Sequence, residues 1–539
     1  MKKWVPYLGA IVFFFSLGLR LIGIGWGLPN DLHNDSYHPD EPINLAVSRL
    51  IEPAHLNFVP GWYNYGTFFL TLSNLASGYV AAPEDNSPKS NADYDRACLL
   101  AGRIVSALAG AGTAWILWAL LKKRTHWLGA FGGALAVGLA PAFVVHSRFD
   151  TVDVTATFLI AVSLFFALKL LPDKDGNGPP HYMRYVALSG GFAGLSAGTK
   201  YLGAIVILAL FAAIFLARRP DWPRLLAIAA GSAFIAFVVS TPGVILDWQR
   251  FKDGFSYETG HAATGHGLVF VDTGPAAMYH IVSLAVGLGA LTFILGAAAL
   301  IYAGVKKKQW AFVLLAMAIP YFLVISASHV EFLRYTFPLY VPICIAFGWV
   351  VGQAHINRKN VVWVVIVAII ALGFEVRTDK QYAEWMAGED PRDQAARAIK
   401  EVVTQRPNTV VGVTADPWYY TPPLYLDSAM PRPRWMREGL QKMQEATTPH
   451  VVYFTPDQKP DYVTFSSLQS WDLDRLQGAK DLTGPDQALV DQWKATSERL
   501  KNEYQNPVRF GGAEPPRFYR EDLEYVHPYV YVWKRKDLP

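Results

Sequence analysis

The sequence predicts an α-helical membrane protein of about eleven spans, followed by an α/β domain outside the membrane. Three observations carry that prediction. Apolar residues come in long blocks up to residue 376, in a chain of 539 residues that is 52% hydrophobic and only 17% charged. Basic residues collect at alternate ends of those blocks. Beyond residue 376 the chain turns polar, aromatic and proline-rich, over a length that can hold its own core. The domains are therefore read as 1–376, with a first outer loop at 28–98, and 377–539. Much of the +4 net charge follows from membrane topology, so it gives no reason to expect nucleic acid. Cys98 and Cys344 both fall in or beside spans and form no metal-binding or disulfide pattern.

The N-terminal apolar run is too long for a signal peptide and reads as a retained anchor, with Lys2 and Lys3 inside. Spans are expected near 5–27, 99–121, 126–146, 151–171, 184–199, 201–217, 224–243, 278–304, 309–327, 333–353 and 360–376. Lys122 to Arg124, Arg184, Arg218, Arg219, Arg224, Lys306 to Lys308, Arg358 and Lys359 then share one face. The positive-inside rule places that face and the N-terminus in the cytoplasm, and the C-terminal domain outside the plasma membrane. Residues 61–82 are rich in Tyr, Asn, Ser and Gly and read as a helix at the outer interface. The apolar stretch 185–217 is too long for one span, since 33 residues make a helix of about 50 Å. A turn is expected at "AGTKY", leaving Lys200 at the outer face, where a lysine needs a reason.

The outer ends collect the residues that suggest chemistry. In "YHPDEPINLAVSRLI" the apolar Ile43, Ala46, Val47, Leu50 and Ile51 follow helical spacing, with Asp40 at the N-cap position and Glu41 in the first turn. Asp40 can cap, act, or do both. Arg148 and Asp150 flank the fourth span, and Asp153 lies one turn further in, where a carboxylate costs up to about 2.5–3.5 kcal/mol at mid-bilayer. Glu331 and Arg334 open the tenth span and can pair locally. Arg103 and Arg20 add cations near outer ends. The loop at about 244–275 is Gly-rich, carries His261 and His266, and suits a lid. His33, Asp35, His38, Asp40, Glu41 and His55 could supply metal ligands, but their spacing matches no strong signature.

"HPDE", "SRFDTVDVTATF", "GLSAGTKY", "LRYTFPLYVP" and "DPRDQAARAI" together resemble the GT-C membrane glycosyltransferases, in the branch of protein O-mannosyltransferases and lipid A aminoarabinose transferases. The resemblance covers roughly residues 1–376 as a pattern. It implies a polyprenyl-phosphate sugar donor, an acidic base from the first outer loop at Asp40 with Glu41 beside it, and an acceptor that is protein, lipid or glycan. Where the aminoarabinose branch has an arginine three residues after the aspartate, this chain has Ile43. Phosphate contacts then fall to Lys200, Arg148 and Arg334, with Asp150, Asp153, Arg103, His38, His261 and His266 in support. No cofactor is required by that chemistry. A divalent ion stays open, because the oligosaccharyltransferase branch uses one.

The expected reaction inverts the anomeric centre. Phosphate leaves as a stable anion, so one base suffices where a glycosidase needs two carboxylates. The alternative is a lipid-linked sugar transporter or flippase, or a membrane protein that only binds glycan or lipid. Charges at span ends and the lack of an evident internal repeat speak for the enzyme. In the C-terminal part, "PRDQAARAIKEVVTQ" has helical spacing, and "TVVGVT", "HVVYFT", "DYVTFSS" and "YVYVWKR" read as strands. The aromatic stretch Ala415 to Asp427 could pack the domain or grip an acceptor; no second catalytic centre is evident there.

Overall fold

The computed structural model describes residues 7–83, 88–172, 181–354, 361–414, 419–424, 450–479, 482–511 and 520–538. Among these, four helices are long and apolar enough to cross a membrane: Ser90–Leu121, Trp222–Ser240, Gln309–Ser326 and Leu333–Gln353. Ala276–Leu288 and Ala290–Val305 make a fifth if counted together, bent by 116° at Gly289. Gly289 has φ +93, which only glycine adopts without strain. Shorter apolar helices, Tyr7–Leu21, Trp127–Gly138, Val152–Leu168 and Tyr201–Leu216, lie at other positions where spans are expected. Large apolar side chains stay exposed on this bundle, among them Phe14, Phe234, Val239, Ile301, Leu323 and Trp363. A surface of that kind fits lipid, not water.

The interior is close-packed through small residues. Helix Trp127–Gly138 meets helix Phe337–Ala354 at glycines. A Cβ placed on Gly129 falls 2.2 Å from the Gly348 carbonyl oxygen, and one on Gly348 falls 2.6 Å from that of Gly129.

Within 61–82 the structure holds only the ten-residue helix Phe68–Ser77, too short to span. The 185–217 stretch turns at Gly198–Lys200, between helix Tyr182–Ala197 and a short 3₁₀ segment Tyr201–Val206. The expected Gly-rich loop at 244–275 is corrected: it contains the helix Trp248–Thr264, whose Phe251 and Phe255 stack against each other and meet Tyr201 edge-on. Aromatic packing at i and i+4 outweighs the glycine content there.

Helix Val361–Ala387 runs through residue 376 without a break. The region after it holds helix Pro391–Gln405 and a five-stranded sheet: β1 Val410–Val413, β2 His450–Tyr453, β3 Tyr462–Ser466, β4 Val508–Phe510 and β5 Val530–Lys534. Their order is β2-β1-β3-β5-β4. β1 pairs in parallel with β2 and β3, whereas β5 runs antiparallel to β3 and β4. Ala395, Ile399 and Val403 repeat every four residues and bury one helix face against Val411, Val451 and Val530.

Candidate active site

Asp40 precedes helix Glu41–Ser48 and has helical backbone angles, and its side chain makes no capping bond. The carboxylate instead reaches across 294 positions to Arg334, with Oδ2 at 3.4 Å from Nη2. Asp40 keeps 26% of its side chain exposed. Arg334 fans out to three acids: Asp40, Asp153 with Nε at 3.8 Å, and Asp522 with Nη1 at 3.7 Å. Its guanidinium also stacks on Phe332 at 3.9 Å. Lys200 pairs with the other oxygen of Asp153 and lies 4.2 Å from the Tyr335 ring centre. The lysine at the turn thus has its reason: it neutralises a buried carboxylate beside Arg334. The local Glu331–Arg334 pair that the sequence allows is not formed; Glu331 accepts from Thr273 at 3.0 Å.

Glu41 takes a different course from its neighbour. It is fully buried and held by two bonds from Arg103, at 2.7 and 2.6 Å, by Ser36, and by the backbone N–H of Asp150 at 2.7 Å. Burial, the largest single influence, pushes its carboxyl up, but Arg103, His38 and the Ser36 hydroxyl together outweigh it and leave Glu41 below its ordinary value. Arg103 is fixed in turn by the carbonyls of Ile24 and Trp26. Asp150 completes this group, with Ser73 at 3.1 Å on its carboxylate and Asn44 on its carbonyl. Glu41, Arg103 and Asp150 are therefore the frame that fixes the start of Asp40's helix.

His38 is buried against Phe149 and Tyr525, and burial drives its pKa well below the ordinary histidine value. His261 and His266 bond to each other at 3.0 Å, and the His266 ring meets the Phe332 ring on which Arg334 stacks. Arg148 does not join this ion-pair cluster. It is buried, donates to the Leu19 carbonyl at 2.8 Å and touches the Met386 sulfur, so its expected phosphate contact is corrected to a packing role. The six possible metal ligands of the first loop also part company: His33 faces Asp393, His55 is exposed beside Glu52, and Glu41 is held by Arg103. Among the described residues, no group of three or more His, Cys, Asp or Glu is placed to hold a metal ion.

Two site residues escape sequence reasoning. Asp522 comes from the C-terminal region and accepts the backbone N–H groups of Leu333 and Arg334 at 3.2 and 2.9 Å. Glu258, on helix Trp248–Thr264, lies within electrostatic reach of Lys200, Asp40 and Arg334. Only an acidic run in "REDLE" and a lone Glu in "SYETGH" mark them in the sequence.

Residues 98–245 match the family described as dolichyl-phosphate-mannose-protein mannosyltransferase. Over 99% of its length this chain superposes on 98% of ArnT from Cupriavidus metallidurans bound to undecaprenyl phosphate, with TM-score 0.50 and 15% identity. The apo state of that protein gives 0.51 and 14% identity, over 98% of each chain. The Archaeoglobus fulgidus oligosaccharyltransferase in the apo form gives 0.51 and 14%, over 100% of this chain and 75% of that one. The chain has the GT-C fold. No curated protein sequence matches it. In this GT-C fold the matched segment 98–245 includes Arg103, Asp150, Asp153 and Lys200, but not Asp40, Glu258, Arg334 or Asp522. The cluster is therefore assembled from well beyond the matched stretch.

Proposed function

We propose that this chain is an inverting glycosyltransferase that moves a sugar from a polyprenyl-phosphate donor to an acceptor hydroxyl on the extracytoplasmic face of the membrane. One observation carries the reading: a partly exposed carboxylate, Asp40, pairs with Arg334, which shares Asp153 with a second cation, Lys200. The fold and the family match support it. Asp40 takes the acceptor proton as the acceptor oxygen attacks the anomeric carbon. The bond from that carbon to the phosphate oxygen breaks, and its electron pair leaves with the phosphate. Lys200 and Arg334 stabilise the charge that develops. As read, the reaction needs no cofactor, and transfer measured with and without a chelator tests that.

The decisive experiment is Asp40→Asn in purified protein supplied with polyprenyl-phosphate sugars. The expected outcome is donor binding near the wild-type level and transfer slowed by about 10²–10⁴-fold, the usual contribution of a general base. Transfer at the wild-type rate by the Asp40→Asn variant overturns the assignment. Accessibility labelling of the 38–41 segment from outside cells tests the orientation.

A further inference from the structure

A cavity of about 350 Å³ lies where the C-terminal region meets the helical bundle, within the ~300–1,000 Å³ usual for small-molecule sites. One wall is Met278, Tyr279 and Val282 of helix Ala276–Leu288, with the 269–275 stretch before it. The other is Trp471, Asp472 and Arg475 of helix Ser467–Arg475, with Arg520 and Glu521 beside them. Arg475 joins the two walls, donating to the carbonyls of Leu268, Val269 and Val271 and to Asp472. Arg520 makes a second joint. Its Nε lies 2.7 Å from the Ser283 hydroxyl, its Nη2 3.2 Å from the Tyr279 carbonyl, and its guanidinium 3.9 Å from the Tyr279 ring centre.

The cavity adjoins the ion-pair cluster. Glu521 is followed by Asp522, whose carboxylate accepts the Leu333 and Arg334 N–H groups and lies 3.7 Å from Arg334 Nη1. Arg334 in turn meets Asp40 at 3.4 Å. Its third acid, Asp153, brings Lys200 to a different nitrogen, Nε. Arg334 thus parts two directions: Lys200 through Asp153, and the cavity through Asp522. Asp40 does not itself line the cavity, so a ligand held there lies beside the cluster.

The polar lining is rich in acceptors. Asp272, Asp472 and Glu521 stand against two guanidiniums, both engaged with the walls. Directly behind the lining, Glu331 accepts from Thr273 and Asp522 adjoins Glu521. Glu521 Oε2 is buried with no hydrogen-bond partner among the described residues. The last torsion of a glutamate is broad, so this carboxyl can turn to meet a donor that a ligand brings. Such a lining suits a ligand that donates hydrogen bonds and carries no negative charge. Trp471, Met278 and Val282 add apolar surface. A sugar ring answers both, with hydroxyls around its edge and C–H groups on its faces. Resting on the glycosyltransferase reading above, we propose that this cavity binds an uncharged sugar unit of the acceptor, next to the unit whose hydroxyl meets Asp40. The acceptor is then a glycan of more than one ring, and the unit held in the cavity bears no phosphate.

The test uses the full chain in detergent on an immobilised panel of neutral, amino-bearing and phosphate-bearing oligosaccharides. The wild type should be retained by neutral members and not by phosphate-bearing ones. Val282→Trp, which fills the cavity, should lose this retention, and Trp471→Ala should weaken it by about tenfold or more. Both variants should bind undecaprenyl phosphate as the wild type does, which shows that they are folded. Amide exchange of the wild type needs no variant: bound neutral oligosaccharide should slow it in 269–275 and 471–475. Retention by no member, or only by amino- or phosphate-bearing members, overturns the proposal. So does unchanged retention in Val282→Trp, or slowed exchange confined to other segments. A wild type that binds neutral oligosaccharide in the cavity but no undecaprenyl phosphate instead overturns the glycosyltransferase reading.

Discussion

Asp40 and Glu41 are adjacent in the chain and opposite in environment. Asp40 has 26% of its side chain exposed; Glu41 has none, and Arg103 meets it with a two-point fork. Replacing Glu41 by Gln leaves Arg103 buried without its counter-charge, which costs about 3–5 kcal/mol when one partner of a buried pair is lost. Thermal unfolding in detergent should show a large loss of stability for Glu41→Gln and a small one for Asp40→Asn. Equal losses in the two variants contradict this division. The acidic pair is plain in "HPDE", yet the sequence does not say which acid meets Arg334. That choice depends on Arg103, 62 positions away, and on Arg334, 294 positions away. Lys200 is easier to read, because a charge inside a long apolar stretch stands out whatever its partner.

At the scale of elements, hydrophobic length and composition locate helices well and their packing poorly. Helix Pro391–Gln405 lies where its spacing predicts, and the stretches read as strands coincide with β1, β2, β3 and β5. β4 escapes a pattern reading because Val508–Phe510 is three residues long with an arginine at its centre. The glycine contacts between Trp127–Gly138 and Phe337–Ala354 carry a functional consequence, since the second helix follows directly on Arg334 and Tyr335. Gly129→Leu forces a side chain where a Cβ already lies 2.2 Å from the Gly348 carbonyl oxygen and 2.6 Å from the Gly352 nitrogen. The two helices must separate, at a cost of about 1–3 kcal/mol or more. The expected outcome is a lower unfolding temperature, together with a higher KM for the donor because Arg334 moves with its helix. Unchanged stability means that the helices are not in backbone contact.

At the scale of the whole molecule, one arginine joins the two halves of the sequence. Arg392 is fully buried, grips Asp390 through Nε and Nη2 at 2.7 Å each, and lies 3.8 Å from the ring centre of Tyr37. It also donates to the carbonyls of Tyr419 and, at 2.7 Å, Tyr525. Around it, Trp26 donates to Asp390 at 3.0 Å, Asn30 to Asp393 at 2.8 Å, and the Tyr37 hydroxyl to Asp393. Tyr37 stands three residues before Asp40, and Tyr525 three residues after Asp522. The same side chain therefore steadies both the segment that carries Asp40 and the segment that braces Arg334. The contacts from Trp26, Asn30 and Tyr37 are not legible locally, since residues more than 350 positions apart leave no spacing or period to read. Arg392→Lys keeps the charge but loses the planar fork and its stacking on Tyr37. If the C-terminal region serves only to cover the bundle, that variant should lose stability and keep the transfer rate of its folded fraction. If the region helps to set the distance between Asp40 and Arg334, the folded fraction should lose transfer as well, by about tenfold for each 1.4 kcal/mol of lost transition-state stabilisation. The second outcome is expected, and it is read by comparing kcat per folded molecule, from a titrated unfolding baseline, with that of the wild type at the same temperature.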